Sequence, residues 1–116
     1  MDLDKARERI VAEHERVEAL ARDLRAGLGQ SESDQLSELA DYDQHPADTA
    51  SETFEREKDL SILEQLEDEL SELQAALERI ERGTYGIDER TGEPIDEARL
   101  DALPTARTNV DTSNRR

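Results

Sequence analysis

Apolar residues recur every seven positions over two long stretches of the chain, with polar residues between them. The first stretch has one row at this spacing, Leu3, Ile10, Val17 and Leu24. A second row lies three positions later, Ala6, Leu20 and Gly27, and is interrupted by Glu13. The second stretch alternates four and three positions without a break: Leu63, Leu66, Leu70, Leu73, Leu77 and Ile80. This spacing is typical of the a and d positions of a coiled coil. The pattern therefore predicts a mainly α fold, in which residues 1–83 form a long antiparallel helical hairpin.

Glycine and proline indicate where these helices begin and end. Gly27 and Gly29 predict the end of the first helix, and Gly83 predicts the end of the second. Pro46 suits the first turn of the second helix, because it needs no partner for a backbone N–H there. Residues 30–48, including a short helix of their own, then form the tip of the hairpin.

The pattern changes after Gly83, where short apolar segments flank a turn at residues 90–93. A short helix from Glu97 to Leu103 is predicted to follow, with Asp96 as its N-cap. Residues 84–105 therefore form a small α/β unit that is too small to fold alone. Five apolar side chains of this unit are expected to dock on the base of the hairpin: Tyr85, Ile87, Ile95, Leu100 and Leu103. Residues 106–116 are predicted to be a flexible tail.

Composition supports long helices over a broad core. Of the 116 residues, 40% are charged, 34% are hydrophobic and 3% are aromatic. Helices that bury only a narrow stripe suit such a chain. The chain has no cysteine, so disulfides and thiolate metal sites are excluded. No signal peptide and no apolar stretch of membrane-spanning length are present, so we expect a cytoplasmic protein without a membrane partner.

The negative charge is concentrated in the middle of the chain. The formal net charge is -16, and residues 31–70 hold fourteen acids against two bases, Arg56 and Lys58, a net charge of -12. Such acidity repels nucleic acid and anionic lipid. The expected partner is therefore basic or carries a metal ion.

The residue pattern contains no catalytic machinery. His45 has no second histidine nearby and is interpreted as a loop residue, although a base or a metal ligand is the alternative. Asp48 can cap the second helix, contact a partner, or do both. Tyr42 and Phe54 either pack against the tip or contact the partner. We therefore predict that the protein is not an enzyme and uses no cofactor.

Several short segments, in order, resemble the DksA/TraR family of bacterial RNA polymerase regulators, and its sporulation- and stress-associated branch in particular. They are residues 45–48 (HPAD), 54–60 (FEREKDL), 82–87 (RGTYGI), 92–95 (GEPI) and 99–105 (RLDALPT). The resemblance implies a monomer that binds core RNA polymerase through the secondary channel and inserts its acidic tip toward the active site to modulate initiation. It places Asp43, His45 and Asp48 at that tip, with Tyr42, Glu52 and Phe54 as further contacts.

The chain departs from the family where family members bind zinc through two Cys-x-x-Cys pairs. The corresponding positions are Asp88, Thr91, Asn109 and Thr112, which lack the thiolates of a tetrahedral zinc site. The resemblance therefore implies a zinc-finger-like unit without metal.

Two alternatives to polymerase regulation stay open. An acidic mimic of nucleic acid would sequester a basic DNA-binding protein, and a structural coiled-coil dimer would use its charge for solubility alone.

Overall fold

The computed structural model describes residues 2–41 and 46–110, and within them the side chains outside residues 30–50. Three helices are present in these residues: α1 (Leu3–Asp41), α2 (Pro46–Arg82) and α3 (Glu97–Ala102). The mainly helical fold class is confirmed.

Helix α1 continues past the two glycines that the sequence interprets as its end. Neither Gly27 nor Gly29 has a positive φ, and Leu28 between them is buried, at 8% exposure. A glycine inside a helix costs about 1 kcal/mol relative to alanine. Burying a leucine side chain contributes about 1.5–3 kcal/mol, which offsets that cost. The predicted helix end at these glycines is wrong because local propensity yields to packing.

Both predicted ends of α2 are confirmed. The helix begins at Pro46 and is followed by Gly83, whose φ is 77°. In this left-handed conformation the chain reverses, and the backbone N–H groups of Thr84 and Tyr85 both donate to the Arg79 carbonyl, at 2.9 and 3.2 Å. These bonds satisfy a carbonyl that the helix end would otherwise leave open.

The buried stripe of α1 differs from the predicted one in its second row. Ile10 and Val17 are fully buried, as the first row predicts. Leu20, however, is 46% exposed, whereas Ala21 is fully buried. From Ala21 onward the second row therefore lies four positions after the first, which brings Leu28 into the stripe in place of Gly27. Leu3, which the first row predicts to be buried, is 44% exposed. The six residues of the predicted α2 rows are all buried or half-buried, so that stripe is confirmed.

The chain forms two compact units. One contains Arg16–Leu70, and the other contains the described residues up to Glu15 together with those from Ser71 onward. Within Arg16–Leu70, Arg25 pairs with Glu67 at 3.5 Å, and Arg56 Nη1 donates to the Leu28 carbonyl at 3.3 Å. The later residue of α1, Leu28, thus contacts the earlier residue of α2, Arg56. The two helices therefore run antiparallel in this unit.

The C-terminal part of the other unit, residues 84–110, packs around Tyr85, Ile95, Leu100 and Ala106, which are buried. We call this part the C-terminal unit. Of the five side chains predicted to dock, two are instead partly exposed, namely Ile87 at 41% and Leu103 at 45%. The one β pairing among the described residues is an isolated bridge between Ile87 and Pro94. Pro94 has no N–H to extend a ladder, and the α/β character predicted for this unit is not confirmed.

Candidate functional site

Most residues predicted for the acidic tip lie outside the described residues. Tyr42, Asp43 and His45 fall in the undescribed segment between α1 and α2. Asp48 lies in the first turn of α2, but its side chain is not among those described. The roles assigned to these four residues stay predictions.

The described start of α2, residues 51–60, presents negative charge to solvent. Glu52, Glu55 and Glu57 are exposed. Arg56, one of the two bases in this segment, turns toward α1 and donates to the Leu28 carbonyl. The outer surface at the start of α2 is therefore dominated by carboxylates, which attract a basic partner at long range.

Phe54 projects from this acidic surface and is 69% exposed, the most exposed large apolar side chain among the described residues. Most of its ring is therefore not covered by the described side chains, whereas Leu36 and Leu39, against which it is predicted to pack, lie outside them. A single exposed apolar residue is common on protein surfaces. An aromatic ring surrounded by charge can nevertheless anchor a partner that offers an apolar pocket.

At the opposite end of α2, the Asp88 carboxylate lies at the centre of a hydrogen-bond network. Asp88 is 1% exposed. Its Oδ1 accepts the backbone N–H groups of Arg90 (2.7 Å) and Thr91 (3.2 Å), and its Oδ2 accepts that of Asn109 (2.8 Å). These hydrogen bonds lower the pKa of Asp88, the one from Asn109 most, because they stabilise the charged carboxylate.

Asn109 extends the same network through its side chain. Its Oδ1 accepts the backbone N–H of Asp96 at 2.8 Å, and its Nδ2 donates to the Pro94 carbonyl at 2.9 Å. Asp96 precedes α3 as predicted, but its side chain makes no capping hydrogen bond. At this helix start, the Asp96 backbone is held by Asn109 instead.

These residues do not fit a zinc ion. A structural zinc site needs four ligands in a tetrahedron, usually thiolates and imidazoles. Here both Asp88 oxygens point at backbone N–H groups, Thr91 Oγ1 accepts the Glu93 N–H at 3.2 Å, and the Asn109 amide is paired at both ends. Thr112, the fourth position, lies outside the described residues.

Three arginines hold the segment that follows α3. Arg79 Nη2 donates to the Thr105 carbonyl at 3.3 Å, and Arg99 Nε donates to the Thr108 carbonyl at 2.6 Å. Arg107 pairs with Glu72 on α2 and with Glu89. The predicted flexible tail begins at residue 106, but these contacts and the burial of Ala106 anchor residues 106–109.

In the sequence, positions 88, 91 and 109 stand out only as places where cysteine is missing. The positive signal was an aspartate at the start of a turn, since aspartate side chains often accept N–H groups two or three residues ahead. The bond to Asn109 spans 21 residues. No local pattern indicates such a contact.

Comparisons with known proteins agree with the resemblance noted in the sequence. No protein-family profile matches the chain. Over 81 residues it is 44% identical to the uncharacterized protein YteA of Bacillus subtilis, and over 86 residues it is 37% identical to the RNA polymerase-binding transcription factor DksA of Caulobacter vibrioides. These alignments cover 70% and 74% of this chain, but 34% and 56% of the relatives. The chain thus spans about a third to a little over half of these curated relatives.

A solved structure is similar over nearly the whole chain. The transcription factor DksA2 from Pseudomonas aeruginosa superimposes with a TM-score of 0.79 at 29% sequence identity. The match covers 97% of this chain and 81% of the DksA2 chain.

Proposed function

Because the chain belongs to the DksA-like family, we propose that it is a transcription regulator that binds RNA polymerase through the secondary channel and modulates initiation. The predicted acidic tip, residues 30–48, with Asp43, His45 and Asp48, would point toward the polymerase active site.

One observation carries the proposal: the similarity to DksA2 extends over 97% of the chain, including both long helices. A match limited to the C-terminal unit would support a shared small domain and nothing more. A match that includes α1 and α2 supports a shared mode of binding, since these helices lead to the predicted acidic tip.

The charge of the start of α2 supports the same partner. In the family that the chain resembles, the secondary channel admits nucleoside triphosphates and is lined by basic groups. Exposed carboxylates such as Glu52, Glu55 and Glu57 complement such a lining. Attraction between exposed charges weakens as salt shortens the Debye length, from about 10 Å at 0.1 M to about 3 Å at 1 M. Binding that rests on this attraction must therefore weaken with salt.

A displacement experiment tests the proposal. A fluorescently labelled secondary-channel factor is bound to core RNA polymerase, and the unlabelled protein is added at increasing concentration. We expect displacement at low salt and a lower apparent affinity as the salt concentration rises, because the carboxylates of α2 contribute to binding. Absence of displacement at low salt would contradict the proposal.

Phe54 provides a residue-level form of the same experiment. Phe54→Ala removes the exposed ring and is expected to weaken displacement about tenfold, equivalent to about 1.4 kcal/mol. Leu20→Ala is the matched control, because Leu20 is a similarly large apolar side chain, 46% exposed on α1. Equal effects of the two variants would show that Phe54 does not contact the polymerase.

A further inference from the structure

We propose that the Asp88 carboxylate, together with Asn109, is a metal-free structural clamp that closes the C-terminal unit where family members use zinc. The clamp is made by hydrogen bonds between segments far apart in the chain. It is independent of the proposed polymerase partner, because it rests on contacts within this unit alone.

Asp88 divides its two oxygens between two segments. Oδ1 holds the turn that follows it, through the N–H groups of Arg90 and Thr91. Oδ2 holds the N–H of Asn109, 21 residues further along the chain. The first pair of bonds alone would be an ordinary aspartate turn. The additional hydrogen bond to Oδ2 gives Asp88 a further role, because this bond connects the turn to the segment after α3.

The side chain of Asn109 forms hydrogen bonds with two further segments. Its side chain binds the Pro94 carbonyl, beside the β-bridge, and the Asp96 N–H, at the start of α3. One carboxylate and one amide therefore connect the turn at residues 90–91, the bridge, α3 and the final segment. A tetrahedral zinc ion joins separate loops in the same manner, by holding one or two ligands from each.

The energetics favour a carboxylate at this buried position. A buried charge is tolerated when hydrogen bonds replace the water that it loses. Asp88 receives three N–H donors, and Arg90 Nε lies 3.9 Å from its Oδ1. Hydrogen bonds to an ionised acceptor are about twice as strong as those between neutral groups.

Asp88→Asn tests the clamp with the least change in shape. An amide retains one accepting oxygen, but its NH₂ group cannot accept an N–H, so one of the two connected segments loses its partner. We expect the melting temperature to fall by roughly 5 °C or more. The matched control is Asp101→Asn, an exposed aspartate in the same unit, expected to change it by less than about 2 °C. Equal melting temperatures for the two variants would overturn the proposal.

Amide hydrogen exchange of the wild-type protein gives an answer even if Asp88→Asn does not fold. The N–H groups of Thr91 and Asn109 are expected to exchange as slowly as those of buried residues near Leu100, because the clamp must open before they reach water. Exchange of Asn109 at the rate of an unstructured chain would overturn the clamp.

The effect of zinc on the melting temperature is a third test of the clamp. Adding either zinc or a chelator to the wild-type protein is expected to leave the melting temperature unchanged, since a ligand stabilises only what it binds. A rise with zinc that Asp88→Asn abolishes would show that Asp88 is a metal ligand and would refute the metal-free clamp.

Discussion

Arg107 joins the C-terminal segment to α2 through a two-pronged ion pair with Glu72. The Arg107 Nε and Nη2 atoms donate to the two Glu72 oxygens at 3.0 and 3.1 Å, and Nη1 donates to Glu89 at 3.0 Å. The hydrogen bond from Arg107 is the main reason that the pKa of Glu72 is lowered. Both side chains are partly exposed, so solvent screens much of this attraction.

Glu72→Gln tests the contribution of this charge through its pH dependence. A carboxylate whose pKa is lower in the folded state stabilises the fold above its unfolded pKa, and the stabilisation is lost as the pH falls through the folded pKa. We expect wild type to exceed Glu72→Gln by about 0.5–1 kcal/mol in free energy of unfolding at pH 7. The difference should shrink progressively below about pH 4.5. Urea unfolding at a series of pH values measures it.

The control for this prediction removes the partner. In an Arg107→Met background, Glu72→Gln should have an effect below about 0.3 kcal/mol, because the pair no longer exists. A difference between wild type and Glu72→Gln that stays constant down to pH 3 would mean that the ion pair does not stabilise the fold.

At the scale of elements, glycine is found inside α1 but ends α2. Gly27 and Gly29 lie inside α1, whereas Gly83 follows α2 with a φ of 77°. A Cβ added at Gly29 or at Gly83 would meet no atom within 4 Å. The two sites therefore differ in backbone conformation and not in available space.

Alanine at these two positions should change stability in opposite directions. Gly29→Ala is expected to stabilise by about 0.5–1 kcal/mol, because alanine loses less backbone entropy in a helix. Gly83→Ala is expected to destabilise by about 1–2 kcal/mol, because an L-residue is strained in the left-handed region. Urea unfolding followed by circular dichroism measures both effects. Destabilisation by Gly29→Ala would indicate that α1 is not helical at this position.

At the scale of the whole molecule, the excess negative charge limits how copies of this chain can associate. The formal net charge is -16 in 116 residues. Two copies would repel each other at low salt, and only a large apolar contact would compensate for that repulsion. The exposed large apolar side chains are spread over α1, α2 and the C-terminal unit in the part of the chain described by the structure.

None of the described helices contains an apolar stretch of the length needed to span a bilayer.

We therefore expect a monomer in solution. Light scattering should give the chain mass of 13.1 kDa at both low and high salt. High salt matters because it screens the repulsion and would reveal a dimer that charge suppresses. A stable mass of about twice this value at both salt concentrations would support the alternative of a structural coiled-coil dimer.

The sequence alone was sufficient for the features that depend on local chemistry or on repetition. The α2 stripe from Leu63 to Ile80, the start at Pro46 and the stop at Gly83 could all be predicted, because each rests on residues a few positions apart. The family could be recognised from short segments in order. The functional roles of Asp43, His45 and Asp48 come from that resemblance and remain to be tested.

Tertiary structure decided the features that depend on which distant residues meet. Helix α1 passes through Gly27 and Gly29 because Leu28 is buried. Its second row shifts from Leu20 to Ala21, since the fold buries Ala21 and leaves Leu20 exposed. Asp88 became a clamp only because the chain returns to bring Asn109 to its free oxygen. The sequence shows that position 88 is an aspartate. Which N–H groups replace the water that its buried carboxylate loses depends on the tertiary structure.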